Sequence, residues 1–337
     1  LQYRHWDEWE DGLRSHVFVL DVATGNTLDV TPGPFDTPPI ALGGFQDYAI
    51  SPDGDEVAFV RNTRVPAMVG TGNDIWLVSA TGGAPRLLTH SEANDVAPQY
   101  SPDGRWIAYL GMTRPGFEAD RAQLLLHDRR SGETRSLTAD LDASVDFFTW
   151  SGDSGTIWFQ VQEQIHHVVY RVPVSGGAPT RVTQGVYDGG LQVSRVGRTL
   201  VVARQATDRP ADLFVLDGNG SVRRPLTHQN RELLSRLALQ PAEPFWASGA
   251  EGTPVQGFLV KPPDFDPARK YPVVFLIHGG PQGAWSDAWS YRWNPQTYAG
   301  AGYVVFMPNF HGSVGWGQDF TDAIRGDWGG RPYEDVM

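Results

Sequence analysis

The sequence predicts a mixed fold: repeated antiparallel β-sheet units, then a single α/β segment. Three observations predict it. The tetrapeptide Ser-Pro-Asp-Gly begins at Ser51 and at Ser101 and degenerates to Ser-Gly-Asp-Ser at Ser151, a constant spacing of 50 residues. A second marker, a small-residue turn followed by a short strand ending in threonine, recurs at Thr31, Thr89, Thr138, Thr183 and Thr227. Beyond Thr227 both markers stop, and apolar runs alternate with helix-compatible stretches.

Within each repeat the elements follow in a fixed order. EVAFV or WIAYL comes after the Ser-Pro-Asp-Gly turn, then DIWLVS or AQLLLHD, then the short strand into threonine. These are brief β-branched and aromatic runs bounded by Gly, Pro and Asp, the pattern of strands. Asp-Gly supplies a tight hairpin turn. Four strands in a repeat of roughly 40–50 residues describe a propeller blade. The sequence thus predicts an incomplete β-propeller of about 4.5 blades over residues 1–240. Residues 13–31 read as the end of a blade whose start is absent, so that N-terminal blades are expected to be missing. The recurring Ser and Asp read as turn chemistry, since a catalytic residue is needed only once.

Residues 241–337 follow a different rule. FWASGAEGTPVQGFLVKP reads as a hairpin around Glu251-Gly252, and Pro262, Pro263 and Pro267 mark a turn-rich connection. VVFLIH is a continuous apolar run, expected for a strand buried on both faces. Trp293 to Gly302 reads as a helix ended by glycine, YVVFMP as a second buried strand, and FTDAIRGDW as the start of another helix. Strand, helix, strand, helix indicates an α/β sheet.

Composition narrows the function. Apolar residues make up 40% and charged residues 20% of 337, ordinary for a globular protein. The net charge of −12 argues against nucleic acid or an anionic membrane as partner. Absence of cysteine excludes disulfides, thiolate metal sites and a cysteine nucleophile. No apolar run reaches the roughly 20 residues of a membrane helix. Leu1 is not an initiator methionine, and the first residues do not read as a signal peptide. The compartment therefore stays open between periplasm and cytoplasm. The sequence calls for no cofactor and no metal; His166-His167 lies in a strand-like run.

The stretch from Tyr271 to Gly317 carries a family resemblance. HGGP at His278–Pro281, then YRWNPQTYAGAGY, NFHGSVGWGQDF and DWGGRPYEDVM, taken in that order behind a Ser-Pro-Asp-Gly propeller, are similar to the prolyl oligopeptidase family of serine peptidases. The similarity is to its acylaminoacyl-peptidase and bacterial dipeptidyl-peptidase branch. The resemblance implies that residues 241–337 are the N-terminal part of an α/β-hydrolase domain and that the substrate is a short peptide. Acyl transfer builds an oxyanion, and each preorganised donor to it is worth roughly 3–4 kcal/mol. In the family one donor is a Tyr in a Gly-Tyr-Gly loop. Here Gly315-Trp316-Gly317 stands at that place, so Trp316 either donates through its indole or only packs. His278, Gly279, Gly280, Pro281 and Asn309 are expected to shape the loop. His278 is not read as the catalytic base, which in this fold follows the nucleophile and the acid. His311 stands where the family usually carries Arg. The resemblance also implies carboxylates for a free substrate amine. Glu118 and Asp120, with Arg121, are the candidates, in the irregular RPGFEADR insertion; Glu8 and Glu10 are weaker ones.

The nucleophile elbow requires G-x-S-x-G. No serine here has glycine both two before and two after; Ser313 and Ser154 come nearest. The expectation is that the Ser-Asp-His triad lies beyond Met337, that the chain is a fragment lacking both ends, and that it is inactive alone. Homo-oligomerisation of the full-length protein stays open. Two other readings stand beside the exopeptidase: a non-enzymatic TolB-like propeller interaction module and a carboxylesterase. Residues 271–337 speak against the first, and a preceding propeller against the second.

Overall fold

A computed structural model of the chain describes residues 12–40, 42–44, 46–64 and 70–337; Glu8 and Glu10 lie outside them. Two compact units emerge. The first holds the described residues up to Glu118 together with Leu124–Arg135, and the second holds Ala119–Gln123 and Ser136–Met337.

The first unit begins with an antiparallel pair, β1 (Phe18–Leu20) and β2 (Thr27–Asp29). A four-stranded meander follows, β3 (Tyr48–Ile50), β4 (Glu56–Arg61), β5 (Asp74–Ser79) and β6 (Arg86–Leu87). A second has β7 (Asp95–Tyr100), β8 (Trp106–Gly111), β9 (Gln123–Asp128) and β10 (Thr134–Ser136). Ala58, Val60, Ile75, Leu77, Ile107 and Tyr109 form one apolar cluster between the two sheets.

The second unit continues with β11 (Val145–Trp150), β12 (Thr156–Glu163), β13 (His166–Pro173) and β14 (Thr180–Arg181), then β15 (Tyr187–Val193), β16 (Thr199–Ala206), β17 (Arg209–Asp217) and β18 (Val222–Pro225). These two meanders join as one eight-stranded sheet through a single parallel pair, His167 with Tyr187. Trp158, Val169, Leu191, Leu200, Val202 and Leu216 are their shared core.

Both sequence markers have a local cause. The hydroxyls of Ser51, Ser101 and Ser151 donate to Asp53, Asp103 and Asp153 at 2.5–2.6 Å. Each also accepts the backbone N–H five residues on, at 2.9–3.0 Å, which closes the hairpin. The threonine that ends a repeat accepts the backbone N–H of the residue 14 positions earlier. Thr31 serves Val17, Thr89 Ile75, Thr183 Val169 and Thr227 Leu213, at 2.8–3.0 Å. A side chain thus satisfies a backbone donor that would otherwise go unpaired, a buried one at Val17, Ile75 and Val169.

After the short helix α1 (Arg231–Leu234) the last sheet forms. β19 (Glu243–Ser248) and β20 (Pro254–Val260) make a hairpin across a 3₁₀ turn at Ala250–Gly252. β21 (Val273–Phe275), α2 (Pro295–Gly300) and β22 (Val304–Asn309) make a parallel crossover, and the strand order is β19-β20-β22-β21. Helix α2 starts where it does because Asn294 caps it, accepting from Gln296 N–H at 2.9 Å, with Pro295 at its first position. Helices α3 (Gln318–Asp322) and α4 (Arg331–Val336) close the chain. The VVFLIH run departs from its expectation. β21 is three residues long at the sheet's edge, and Val273, Phe275 and Ile277 are 52%, 48% and 56% exposed. It pairs with β22 alone, and the exposure of these three side chains shows that the face they share is not covered.

Candidate functional site

Two loops meet at the carboxyl ends of β21 and β22. The first, from His278 to Asp287, follows β21; the second, from Phe310 to Gln318, follows β22. Asn309 joins them. Fully buried, it accepts Trp285 N–H at 2.7 Å through Oδ1 and donates to the Trp285 carbonyl at 2.9 Å through Nδ2. Its amide thus extends the ladder sideways by two bonds. The Trp285 indole donates to the Leu276 carbonyl at 2.6 Å, and Val314 N–H to the Gly283 carbonyl at 3.0 Å.

His278 is spent inside this framework. Its ring stacks on Phe310 with centroids 4.3 Å apart and planes at 11°. Nδ1 lies 3.0 Å from the Gly279 carbonyl and Nε2 2.9 Å from Ser313 Oγ. Burial pushes its pKa below the usual histidine range, so the ring is neutral near pH 7. The Gly279 carbonyl beside Nδ1 only accepts, and Nε2 meets the oxygen of the Ser313 hydroxyl, whose single proton goes to the Phe310 carbonyl. That hydroxyl also lies 2.7 Å from the Phe310 carbonyl. Gly279, Gly280 and Pro281 form the turn beside this ring, and Gly283 N–H closes back on the Pro281 carbonyl at 3.0 Å.

His311 is buried and held by a partner that sequence reasoning missed. The Asp335 carboxylate, itself fully buried, accepts the His311 backbone N–H and Nδ1 at 2.6 Å each and Ala250 N–H at 2.8 Å. The ring stacks on Phe320 at 4.7 Å. Trp316 packs against the cluster of Ile165, Phe258, Val260, Ala299, Val305 and Met307. Its indole Nε1 is buried and meets no acceptor among the described residues.

The RPGFEADR insertion reaches this loop. Gln318 Nε2 donates to the Ala119 carbonyl at 3.0 Å. Asp120, next to it, is only 5% exposed, and Arg121 donates to the carbonyls of Leu141 and Ala139 at 2.7 and 3.1 Å. Of these residues Ala119 touches the loop, through Gln318, whereas Glu118 is exposed and belongs to the first unit. The sheet contributes more. Gln164 N–H, at the tip of the β12–β13 hairpin, donates to the Gly315 carbonyl at 2.8 Å, and Asp142 Oδ1 accepts Gln318 N–H at 3.0 Å. Ile165 buries in the core beside Val305, and its carbonyl accepts Asp287 N–H at 2.8 Å. Asp287 Oδ1 accepts both the N–H and the hydroxyl of Thr207 at 2.7 Å. Among the described residues no three His, Asp or Glu side chains gather into a metal-binding group, and no helix is long and apolar enough to cross a membrane.

Two neighbouring strands thus carry a His-Gly-Gly-Pro turn and a Gly-Trp-Gly loop, tied together through Asn309. Residues 289–337 match the model of the prolyl oligopeptidase family. Over its whole length it is 30% identical to dipeptidyl-peptidase 5 of Porphyromonas gingivalis and 33% identical to dipeptidyl-peptidase 5 of Arthroderma otae. It spans 50% of the length of each, about half of these relatives. Among solved structures, acylaminoacyl peptidase of Pyrococcus horikoshii has the same fold, with a TM-score of 0.75 at 20% identity over 99% of this chain and 52% of that one. Dipeptidyl peptidase 4 of P. gingivalis gives 0.65 at 20% identity, over 91% of this chain and 43% of its own.

Proposed function

We propose that this chain supplies a blade-type β-propeller, residues 1–240, and the first part of an α/β-hydrolase domain, residues 241–337, to a serine exopeptidase. The enzyme would release dipeptides, or acylated single residues, from short peptides through an acyl-enzyme. Similarity along the entire chain to proteins named dipeptidyl-peptidase 5 supports the substrate class. The meeting of the His278 and Trp316 loops at the carboxyl ends of β21 and β22, tied by Asn309, is the observation that carries the reading. Trp316 stands where the family places a donor to the oxyanion that develops on the scissile carbonyl, and because its indole packs against the Ile165 cluster, the kinetics of Trp316→Phe decide between donating and packing. His278 and His311 are both engaged, with the loop and with Asp335, and hold the framework rather than move protons. The nucleophile is not among the 337 residues, since no serine sits in a G-x-S-x-G turn.

The test has two parts. The purified 337-residue chain should leave chromogenic dipeptide substrates intact; turnover blocked by a serine-directed inhibitor would overturn the proposal. In a polypeptide spanning the relatives' full length, dipeptide release should appear. There Trp316→Phe should lower kcat by roughly 10²-fold, the cost of one oxyanion donor. Unchanged kcat removes the donor role, and hydrolysis of esters alone would favour a carboxylesterase.

A further inference from the structure

His167, near the start of β13, sits where the two meanders of the eight-stranded sheet meet. Its backbone N–H donates to the Val186 carbonyl at 3.1 Å, and it forms the parallel pair with Tyr187 that joins them. Its side chain bridges the same joint. Nδ1 lies 2.6 Å from the Asp188 carbonyl on β15, and Nε2 lies 3.1 Å from Asp146 Oδ2 on β11. Both oxygens only accept, one as a carbonyl and one as a carboxylate. A neutral imidazole has one N–H, so its other nitrogen would turn a lone pair on an oxygen. Two N–H groups satisfy both contacts. The side chain is 12% exposed, and its ring stacks on Tyr187 with centroids 5.1 Å apart, against a face that favours a cation. The surrounding charges agree. Arg204 binds the buried Asp188 carboxylate at 2.7 and 2.9 Å, and the Asp188 carbonyl also accepts Gln160 Nε2 at 2.5 Å. From β12 come only the uncharged Gln160 and, opposite His167 in register, Gln162. Burial pulls the His167 pKa down, but the bond to Asp146, its charge, and then the Asp188 carbonyl and charge outweigh it, and the net shift is upward. Tyr187 stays neutral, its pKa pushed up by burial and then by Asp146. His166, next along β13, responds instead to burial and then to Asp287, Glu163 and Arg181.

We infer that His167 is an imidazolium pin across this joint, and that loss of its proton loosens the joint, a pH-sensitive device built into the sheet. Without the second proton one of the two side-chain contacts goes. Gln160 and the His167 backbone then hold the joint beside a slip in register, where β15 departs from β16 between Gly189 and Gln192 and Gly190 takes φ +58°. The apolar core of Trp158, Val169, Leu191 and Leu216 does not titrate, so the loosening stays local. A histidine that holds its proton more tightly when folded adds stability that is complete below the unfolded midpoint, about 6.5. That stability is lost as pH rises through the folded midpoint. The joint is therefore firm in acid and slack above the folded midpoint, with or without peptidase activity.

The experiment uses the 337-residue chain labelled with ¹⁵N. The His167 ring signals, assigned by correlation to its backbone, are followed from about pH 5 to pH 9. Their midpoint should exceed the ordinary histidine value of about 6.5, with both ring nitrogens protonated below it. Asp146→Asn, which keeps an acceptor but loses the charge, should bring the midpoint down. Hydrogen exchange reads the joint itself. Protection of the His167 amide should fall through the folded midpoint, by roughly tenfold for each unit between the folded and unfolded midpoints. The Ile75 amide, bonded to Thr89 in the first unit, should keep its protection. In His167→Gln the protection at position 167 should no longer follow pH. A ring midpoint at or below about 6.5 overturns the imidazolium. A higher midpoint with protection that ignores pH overturns the switch. The wild-type titration and exchange decide both points even where His167→Gln does not fold.

Discussion

Asp95, at the start of β7, is buried beside Asp74, Arg64, Thr89 and Tyr109. Burial, then the nearby Asp74 charge, push its carboxyl up to about 7, against the opposing pulls of the Thr89 hydroxyl and Arg64. A carboxyl whose pKa is raised on folding binds its proton more tightly in the folded chain. Stability therefore falls as pH climbs from the unfolded value through the folded one, and levels off above it. Asp95→Asn removes the charge and keeps the shape. Thermal melts should show a gain that grows from pH 5 to pH 8, reaching on the order of 1–3 kcal/mol; a gain that is flat with pH would contradict this. At the residue scale, repetition decides what the sequence reveals. Thr31, Thr89, Thr183 and Thr227 announce themselves because one capping task recurs at one spacing. Asp335 does not, because its contact with His311 occurs once, across 24 residues and a change of element. Asp142 and Gln164 were missed for the same reason, their partners being more than a hundred residues away.

At the scale of elements, the β12–β13 hairpin is the informative one. Hairpin tips face water as a rule, yet Ile165 is 3% exposed and belongs to a core built from β20, α2 and β22. Ile165→Ala should cost about 2–4 kcal/mol, the range for truncating a buried aliphatic chain, read from the urea midpoint at unchanged m-value. A loss below roughly 1 kcal/mol would mean that the tip is not a structural anchor. In the sequence Ile165 stands alone between Gln164 and His166, too short a signal for any periodicity. The neighbouring strands were legible because they alternate or run apolar. β21 is the exception: an apolar run specifies a strand but not how many neighbours the strand will have. The capped helix α2 was read near its true bounds, since Asn294-Pro295 states its start in side-chain chemistry.

At the scale of the whole molecule, the most consequential surface is the outer edge of β21. Val273, Phe275 and Ile277 present half-exposed apolar side chains beside backbone groups that β22 does not pair. Such an edge is a template for another strand. Phe275→Lys should lower self-association of the 337-residue chain, measured by light scattering across a concentration series. Equal scattering from both proteins would exclude β21 as the sticky element. The net charge of −12 works against association generally but leaves a local edge uncovered. Order of synthesis gives the β12–β13 hairpin a second meaning. Asp142 and Gln318, in contact, are 176 positions apart. Chains fold from the N-terminal side as they leave the ribosome. The sheet that bears Asp142 and Gln164 therefore emerges first, and the loop that carries Trp316 is translated onto a mould already waiting for it.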